Sequence, residues 1–182
     1  MFRCFAMLAV FALADTVLAD DDLKTGPEPG ALPELKVFDT TGPNTGSEID
    51  YVADRKGKPT VYVFIAADKW DRPVARFLKT LDAEIAKASD DAYLVAVWLA
   101  DDAAKTKEYL PRAQQSIKLE RTALTCFQGD KAGPKNWNIH PDAHVTAVVS
   151  SDGKAVKSFG FRSINETDVP AVKEALAQAI KK

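Results

Sequence analysis

The segment Thr60-Val61-Tyr62-Val63-Phe64-Ile65-Ala66-Ala67-Asp68-Lys69-Trp70-Asp71-Arg72-Pro73-Val74-Ala75-Arg76-Phe77-Leu78-Lys79-Thr80-Leu81-Asp82-Ala83-Glu84-Ile85 decides the fold, because its hydrophobic period changes midway. Thr60 to Ala66 is β-branched, aromatic and free of charge, the pattern of a central strand buried on both faces. Beyond Asp71, apolar residues recur at steps of three and four: Val74, Phe77, Leu78, Leu81 and Ile85. This spacing predicts an amphipathic helix from Asp71 to about Ala88, with its apolar stripe against the sheet. Asp71 suits the N-cap, and Pro73 falls in the first turn, where its missing N–H costs nothing.

Downstream the alternation continues. Tyr93 to Leu99 reads as a second buried strand, and Asp101-Asp102 opens a helix to about Leu110, with Pro111 marking a break or a fresh helical turn. Thr122 to Phe127 is a short strand candidate followed by a loop from Gly129 to Pro134. Val145–Val149 and Ala155–Phe159 flank Ser151-Asp152-Gly153, which predicts a hairpin. A last helix is capped by Thr167 or Asp168, has Pro170 in its first turn, and buries Val172, Ala175, Leu176, Ala179 and Ile180. Upstream, Leu35–Phe38 reads as a strand, a turn-rich stretch holds Gly42, Pro43, Asn44 and Gly46, and Lys56–Pro59 breaks the chain again. Alternating strands and helices followed by a hairpin predict an α/β domain with a mixed central β-sheet and helices on both faces.

The 182 residues, 46% hydrophobic and 27% charged, accommodate one domain with a substantial core, placed at residues 35–182. Residues 20–34 contain three prolines and two glycines among acids and predict a flexible lead-in. Residues 1–19 carry Arg3, an apolar run from Phe5 to Leu13, and Val17-Leu18-Ala19 before Asp20, the order of a cleaved signal peptide. The expected destination is export to the periplasm or beyond the cell. A membrane anchor is the alternative, but the run breaks at Asp15, short of the roughly 20 apolar residues that span a bilayer. Stable membrane insertion after cleavage is therefore not expected. The net charge of −2 and the lack of a long basic run give no case for nucleic acid as partner. Cleavage would also remove Cys4 and leave Cys126 as a single thiol, unable to form an intramolecular disulfide.

A buried strand ending Phe64-Ile65-Ala66, then Trp70, then a helix with proline in its first turn resembles the surroundings of the active site in thioredoxins and related redoxins. The resemblance covers about residues 33–181. Their Trp-Cys-Gly-Pro-Cys motif is matched by Trp70-Asp71-Arg72-Pro73-Val74, where Trp and Pro agree and both cysteines are replaced. The stretch Val145 to Lys154 is similar to the family's Pro-Thr-strand-turn-Gly segment, with Val145 at the cis-proline position. Leu35–Asp39 with Gly57-Lys58-Pro59 resembles the beginning of the redoxin branch, which includes peroxiredoxin-like and cytochrome-maturation proteins. The resemblance implies a thioredoxin-like fold. Dithiol exchange needs an exposed, activated thiolate and a second thiol within reach, so Asp71 and Val74 rule out that chemistry under this alignment. Peroxidase activity is not expected either, because no cysteine lies between residues 5 and 125.

Other residues could still carry function. Cys126 reads as either a lone reactive thiol or a small buried hydrophobe between Thr125 and Phe127. His140 and His144, the only histidines, could hold copper or zinc, with Cys126 as a further donor, although Pro141 resists a helix that would align them. Trp70, Arg72 and Trp137 fall where the fold brings them toward the former active-site end, as a binding surface or as plugs of the core. Asp101-Asp102 reads most simply as a solvated helix start. These residues predict a non-catalytic domain without a cofactor. It would bind a protein or peptide through Trp70, Arg72, Trp137, His144 and Val145, with one-thiol chemistry at Cys126 or a metal at His140 and His144 as the alternatives.

Overall fold

The computed structural model describes residues 23–181; the expected signal peptide with Cys4, residues 20–22 and Lys182 lie outside them. Along the chain run β1 (Gly30–Ala31), β2 (Lys36–Asp39), β3 (Glu48–Asp50), α1 (Tyr51–Arg55), β4 (Thr60–Ala66) and α2 (Arg72–Ala88). There follow β5 (Tyr93–Leu99), α3 (Ala103–Ile117), β6 (Thr122–Cys126), β7 (Val145–Ser151), β8 (Lys154–Phe161) and α4 (Val169–Ile180). The strands form one mixed sheet in the order β1-β8-β7-β4-β5-β6-β2-β3. The two charge-free runs lie at its centre: β4 pairs parallel with β5, which pairs parallel with β6, and every other pairing is antiparallel.

Alternation along these strands builds two cores. Val61, Val63 and Ile65 of β4, Leu94, Ala96 and Trp98 of β5 and Val145, Ala147 and Val149 of β7 face the long helices α2, α3 and α4. Tyr62, Phe64, Val95, Val97 and Val148 face the other way, onto Leu35, Val37, Tyr51 of α1 and Trp137. Helices do lie on both faces as expected, but very unequally, since α1 is only five residues long. The hairpin and the buried faces of α2 and α4 also match the sequence expectation.

Four details differ. Helix α3 runs through Pro111 to Ile117, because Leu110 and Ala113 are buried in the helical core and outweigh the lost hydrogen bond. Asp168 stands at the N-cap of α4 as expected, but its side chain accepts Asn165 N at 2.9 Å instead of a helix N–H, closing a capping box with Asn165, whose side chain accepts Thr167 N at 2.8 Å in the turn before α4. β1, β3 and α1 have no apolar period long enough to show in the sequence. Finally, the described part of the expected flexible lead-in is docked. Leu23, Thr25 and Pro27 are buried, Gly30 and Ala31 pair with β8, and Gly26 N donates to Asn138 O at 3.0 Å. Its prolines and glycines allow it to follow the sheet, and the outer edge of β8 supplies partners that composition alone does not reveal. Among the described residues, no helix is long and apolar enough to cross a membrane.

Candidate functional site

The N-terminus of α2 carries Trp70 to Val74, the stretch whose sequence resembles the redoxin motif. Asp71, extended at φ −142°, accepts Val74 N on Oδ1 at 2.9 Å and so satisfies a donor that the first helical turn leaves free. Val74 is buried in the helical core. Trp70 is half-buried: its ring meets Trp98 edge-on at 4.9 Å, and its Nε1 donates to the Tyr109 hydroxyl at 2.7 Å. Arg72 is exposed, Pro73 half-buried, and Tyr109 is the one large hydrophobic residue exposed among those described.

At the same end, the carboxyl ends of β4 and β5 open into a cleft of about 730 Å³. Residues 66–69 and 99–101 line it, with loop residues 130–132 and 141–144 and Arg162 after β8. Ala66, Leu99 and Ala143 give it an apolar lining. Three ion pairs line it, Lys69 with Asp68 at 3.4 Å, Lys131 with Asp101 at 2.9 Å, and Arg162 with Asp142 at 3.9 Å, while Asp130 accepts Ala132 N at 2.8 Å.

The expected site residues separate. His144 lines the cleft, while its backbone bonds both neighbouring strands: its N–H donates to Phe161 O at 2.8 Å and its O accepts Ala66 N at 3.1 Å. Val145 is fully buried and no cis peptide bond occurs among the described residues, so it is an ordinary core residue of β7 rather than a contact residue. Trp137 is a core plug on the second face, between Tyr62 at 5.2 Å and Phe64 at 5.0 Å, with Nε1 donating to Glu34 O. It cannot join Trp70 on a binding surface, because the sheet lies between the two cores they occupy. Trp70 and Arg72 do not line the cleft; Lys69, one residue earlier, does.

His140 is half-buried outside the cleft, and its Nδ1 accepts Asp142 N at 3.1 Å. That ring nitrogen is therefore engaged, and no group of three or more His, Cys, Asp or Glu side chains among the described residues is arranged to hold a metal. Cys126 is fully buried beside Trp98 in register, with Sγ 3.5 Å from Phe127 O and 3.9 Å from Ala103 O. Burial pushes its thiol up, and Lys107 opposes this only in second place. Asp102 caps α3 by accepting Lys105 N at 3.0 Å, and Asp101 joins the cleft.

Sequence reasoning missed Lys69, Lys131, Asp142, Arg162 and Tyr109. Each is a single residue in a loop or on an exposed helix face. Their only signal is position, since the chain segments leaving β4, β5, β6 and β8 converge at one end of the sheet.

No protein-family model matches the sequence, and neither does any curated protein. The structure nevertheless has a thioredoxin-like fold, shared with many solved proteins. The peroxidoxin BcpB of Mycobacterium tuberculosis superposes with a TM-score of 0.59 at 16% identity, over 87% of this chain and 99% of that one. A DsbF homologue of Corynebacterium diphtheriae gives a TM-score of 0.57 at 13% identity, over 93% and 99%. The exposed lipoprotein thioredoxin Etrx1 of Streptococcus pneumoniae gives 0.56 at 15%, over 78% and 98%.

Proposed function

We propose that this chain is an exported thioredoxin-like domain that has exchanged dithiol chemistry for binding, taking a protein or peptide segment in the cleft bounded by Lys69, Lys131, His144 and Arg162. One observation carries the reading. At the two positions aligned with the redox cysteines, Asp71 serves as a helix cap and Val74 as core packing, while a large cleft stays open at the same end of the sheet. A carboxylate capping a helix cannot form a disulfide, and a buried valine cannot resolve one. A cleft with apolar lining and paired charges of both signs suits a peptide segment, which brings backbone amides, side-chain charges and apolar groups together. The buried thiol of Cys126 counts against the one-thiol alternative. The engaged Nδ1 of His140 counts against paired histidine ligation.

The purified protein is expected to show neither insulin-disulfide reduction nor peroxidase turnover. Turnover that survives Cys126→Ser would overturn the alignment of Asp71 and Val74. Titration with a mixed peptide pool should shift amide resonances of Lys69, His144 and Arg162 before any others. Shifts confined to Trp70, Arg72 and Tyr109 would move the site to the other side of the sheet end. Export is tested by N-terminal sequencing of the protein from an exported fraction, where Asp20 is the expected first residue.

A further inference from the structure

Residues 23–29 form a strap across β8 whose other contacts run to the wall of the cleft. Two glycines let it lie close. A Cβ at Gly160 would stand 2.5 Å from Thr25 Cγ2 and 2.7 Å from Leu23 O, and a Cβ at Gly26 would stand 2.6 Å from Ser158 Cβ. Glycine within a strand marks a close approach of another backbone, and here the strap is that backbone. Ser158 Oγ donates to Pro27 O at 2.9 Å along the same edge.

The clasp is the hydroxyl of Thr25. It lies 2.8 Å from Thr146 Oγ1 and accepts His140 N at 2.9 Å, while Gly26 N donates to Asn138 O at 3.0 Å. His140 then holds the wall: its O accepts Ala143 N at 3.0 Å and its Nδ1 accepts Asp142 N at 3.1 Å. Residues 141–144 line the cleft. A continuous path of hydrogen bonds thus runs from the strap through His140 to the cleft, and Asn138 at its hinge sits at φ 49°, in the left-handed region.

We infer that strap and wall form one opening unit, so that undocking residues 23–29 releases the His140–Ala143 wall, with His144 held by its bonds to β4 and β8, and reshapes the cleft. The inference concerns the wall itself and stands whether or not the cleft takes a peptide. Local opening of this kind draws on segments held by a few hydrogen bonds at a surface, while the central strands stay closed.

Native-state hydrogen exchange on the purified protein tests the coupling. Thr25→Val keeps the shape of the side chain and removes the clasp hydroxyl. Gly160→Ala leaves the strap sequence intact and fills its seat. In both variants the amides of Gly26, His140 and Ala143 should exchange faster by about fivefold or more, the scale of one lost hydrogen bond, while those of Val63 and Val95 keep their protection. Thr25→Ser should restore the slow exchange. Ala143 is decisive, because its N–H bonds His140 rather than the strap. Fast exchange at Gly26 with Ala143 unchanged would overturn the inference, as would an equal acceleration of every amide, strand cores included. If Gly160→Ala does not fold, the Thr25 pair decides alone.

Discussion

Replacing Asp71 by alanine isolates what the N-cap of α2 does in this protein. Its Oδ1 accepts Val74 N at 2.9 Å, and removal of such a cap costs about 1 kcal/mol, within a range of about 0.5–2. The exposed carboxylate also faces the positive end of a 17-residue helix, worth about 0.3–1 kcal/mol at the surface. Loss can spread no further than the first turn, because Val74, Phe77, Leu78, Leu81 and Ile85 pin α2 to the core. Asp71→Ala should therefore lose about 1–2 kcal/mol, and for a domain of this size Tm should fall by roughly 2–8 °C. Asp71→Asn keeps the cap oxygen and should lose less than half of that. Urea unfolding followed by tryptophan fluorescence reads both, and an unchanged m-value confirms that only stability has moved. A midpoint that stays put or rises on Asp71→Ala would refute the reasoning. It would mean that Asp71 is kept at a loss of stability, as functional residues often are, and that the position retains chemistry of its own.

Cys126 should resist alkylation in the native protein and react fully in guanidinium, since burial raises its thiol; native labelling at the denatured rate would return the one-thiol reading to first place. Hydrogen bonds from Lys173 and Lys87 hold the Glu84 carboxyl at about 2. The unfolded carboxyl takes its proton near the ordinary value, so Glu84 contributes stability that is present above about pH 4.5 and is lost as pH falls toward 2. Urea midpoints between pH 3 and 6 should therefore fall less steeply in Glu84→Gln than in wild type. The double variant Asp71→Cys with Val74→Cys should form a disulfide and gain insulin reduction; failure of the two thiols to pair under oxidation would show that these positions do not correspond to the redox motif. Arg162→Ala and Lys131→Ala should each change stability by less than about 1 kcal/mol, because their ion pairs are exposed, yet weaken peptide binding; unchanged affinity in both would remove the cleft from the function.

The central strands and α2 were legible in the sequence because burial on two faces and on one stripe leaves unbroken runs and steps of three and four. Asp71 and Pro73 were legible through cap chemistry, which is local. The docked lead-in was not. Proline and glycine make a segment poor at regular structure, which reads as disorder unless the receiving edge is known, and Gly160 marks that edge only once Thr25 lies on it. Val145 was misplaced for a related reason, and of the two readings open for Trp137 the structure takes the core plug. A residue's distance from a motif does not say which face of the sheet it takes, and the alternation of β7 turns Val145 inward while Trp137 closes the second core. The cleft charges come from separate loops, so no window of sequence contains them together.

Where this protein draws its stability bears on where its function lies. The buried carboxylates are fully engaged in structure. Asp39 accepts Gly42 N at 2.6 Å, Asn44 N at 2.8 Å and the Tyr51 hydroxyl at 2.7 Å, closing the loop between β2 and β3. Asp82 accepts Glu120 N, Arg121 N and the Thr122 hydroxyl, fastening α2 to the start of β6. Each is a buried charge whose lone pairs are used by neighbours, which accounts for its presence without a ligand. The cleft charges are of another kind. Their three ion pairs are exposed on both sides, from 44% to 76%, and such pairs contribute little to folding. Four separate loops nonetheless bring them to one end of the sheet, beside the helix start that carries Asp71 in place of a thiol. Stability does not require that convergence, and the proposed binding of a partially charged segment gives it a use. On the proposed reading, Asp71 and Val74 leave this end of the sheet without a dithiol, while the exposed charged groups of the cleft stand where a bound segment would meet them.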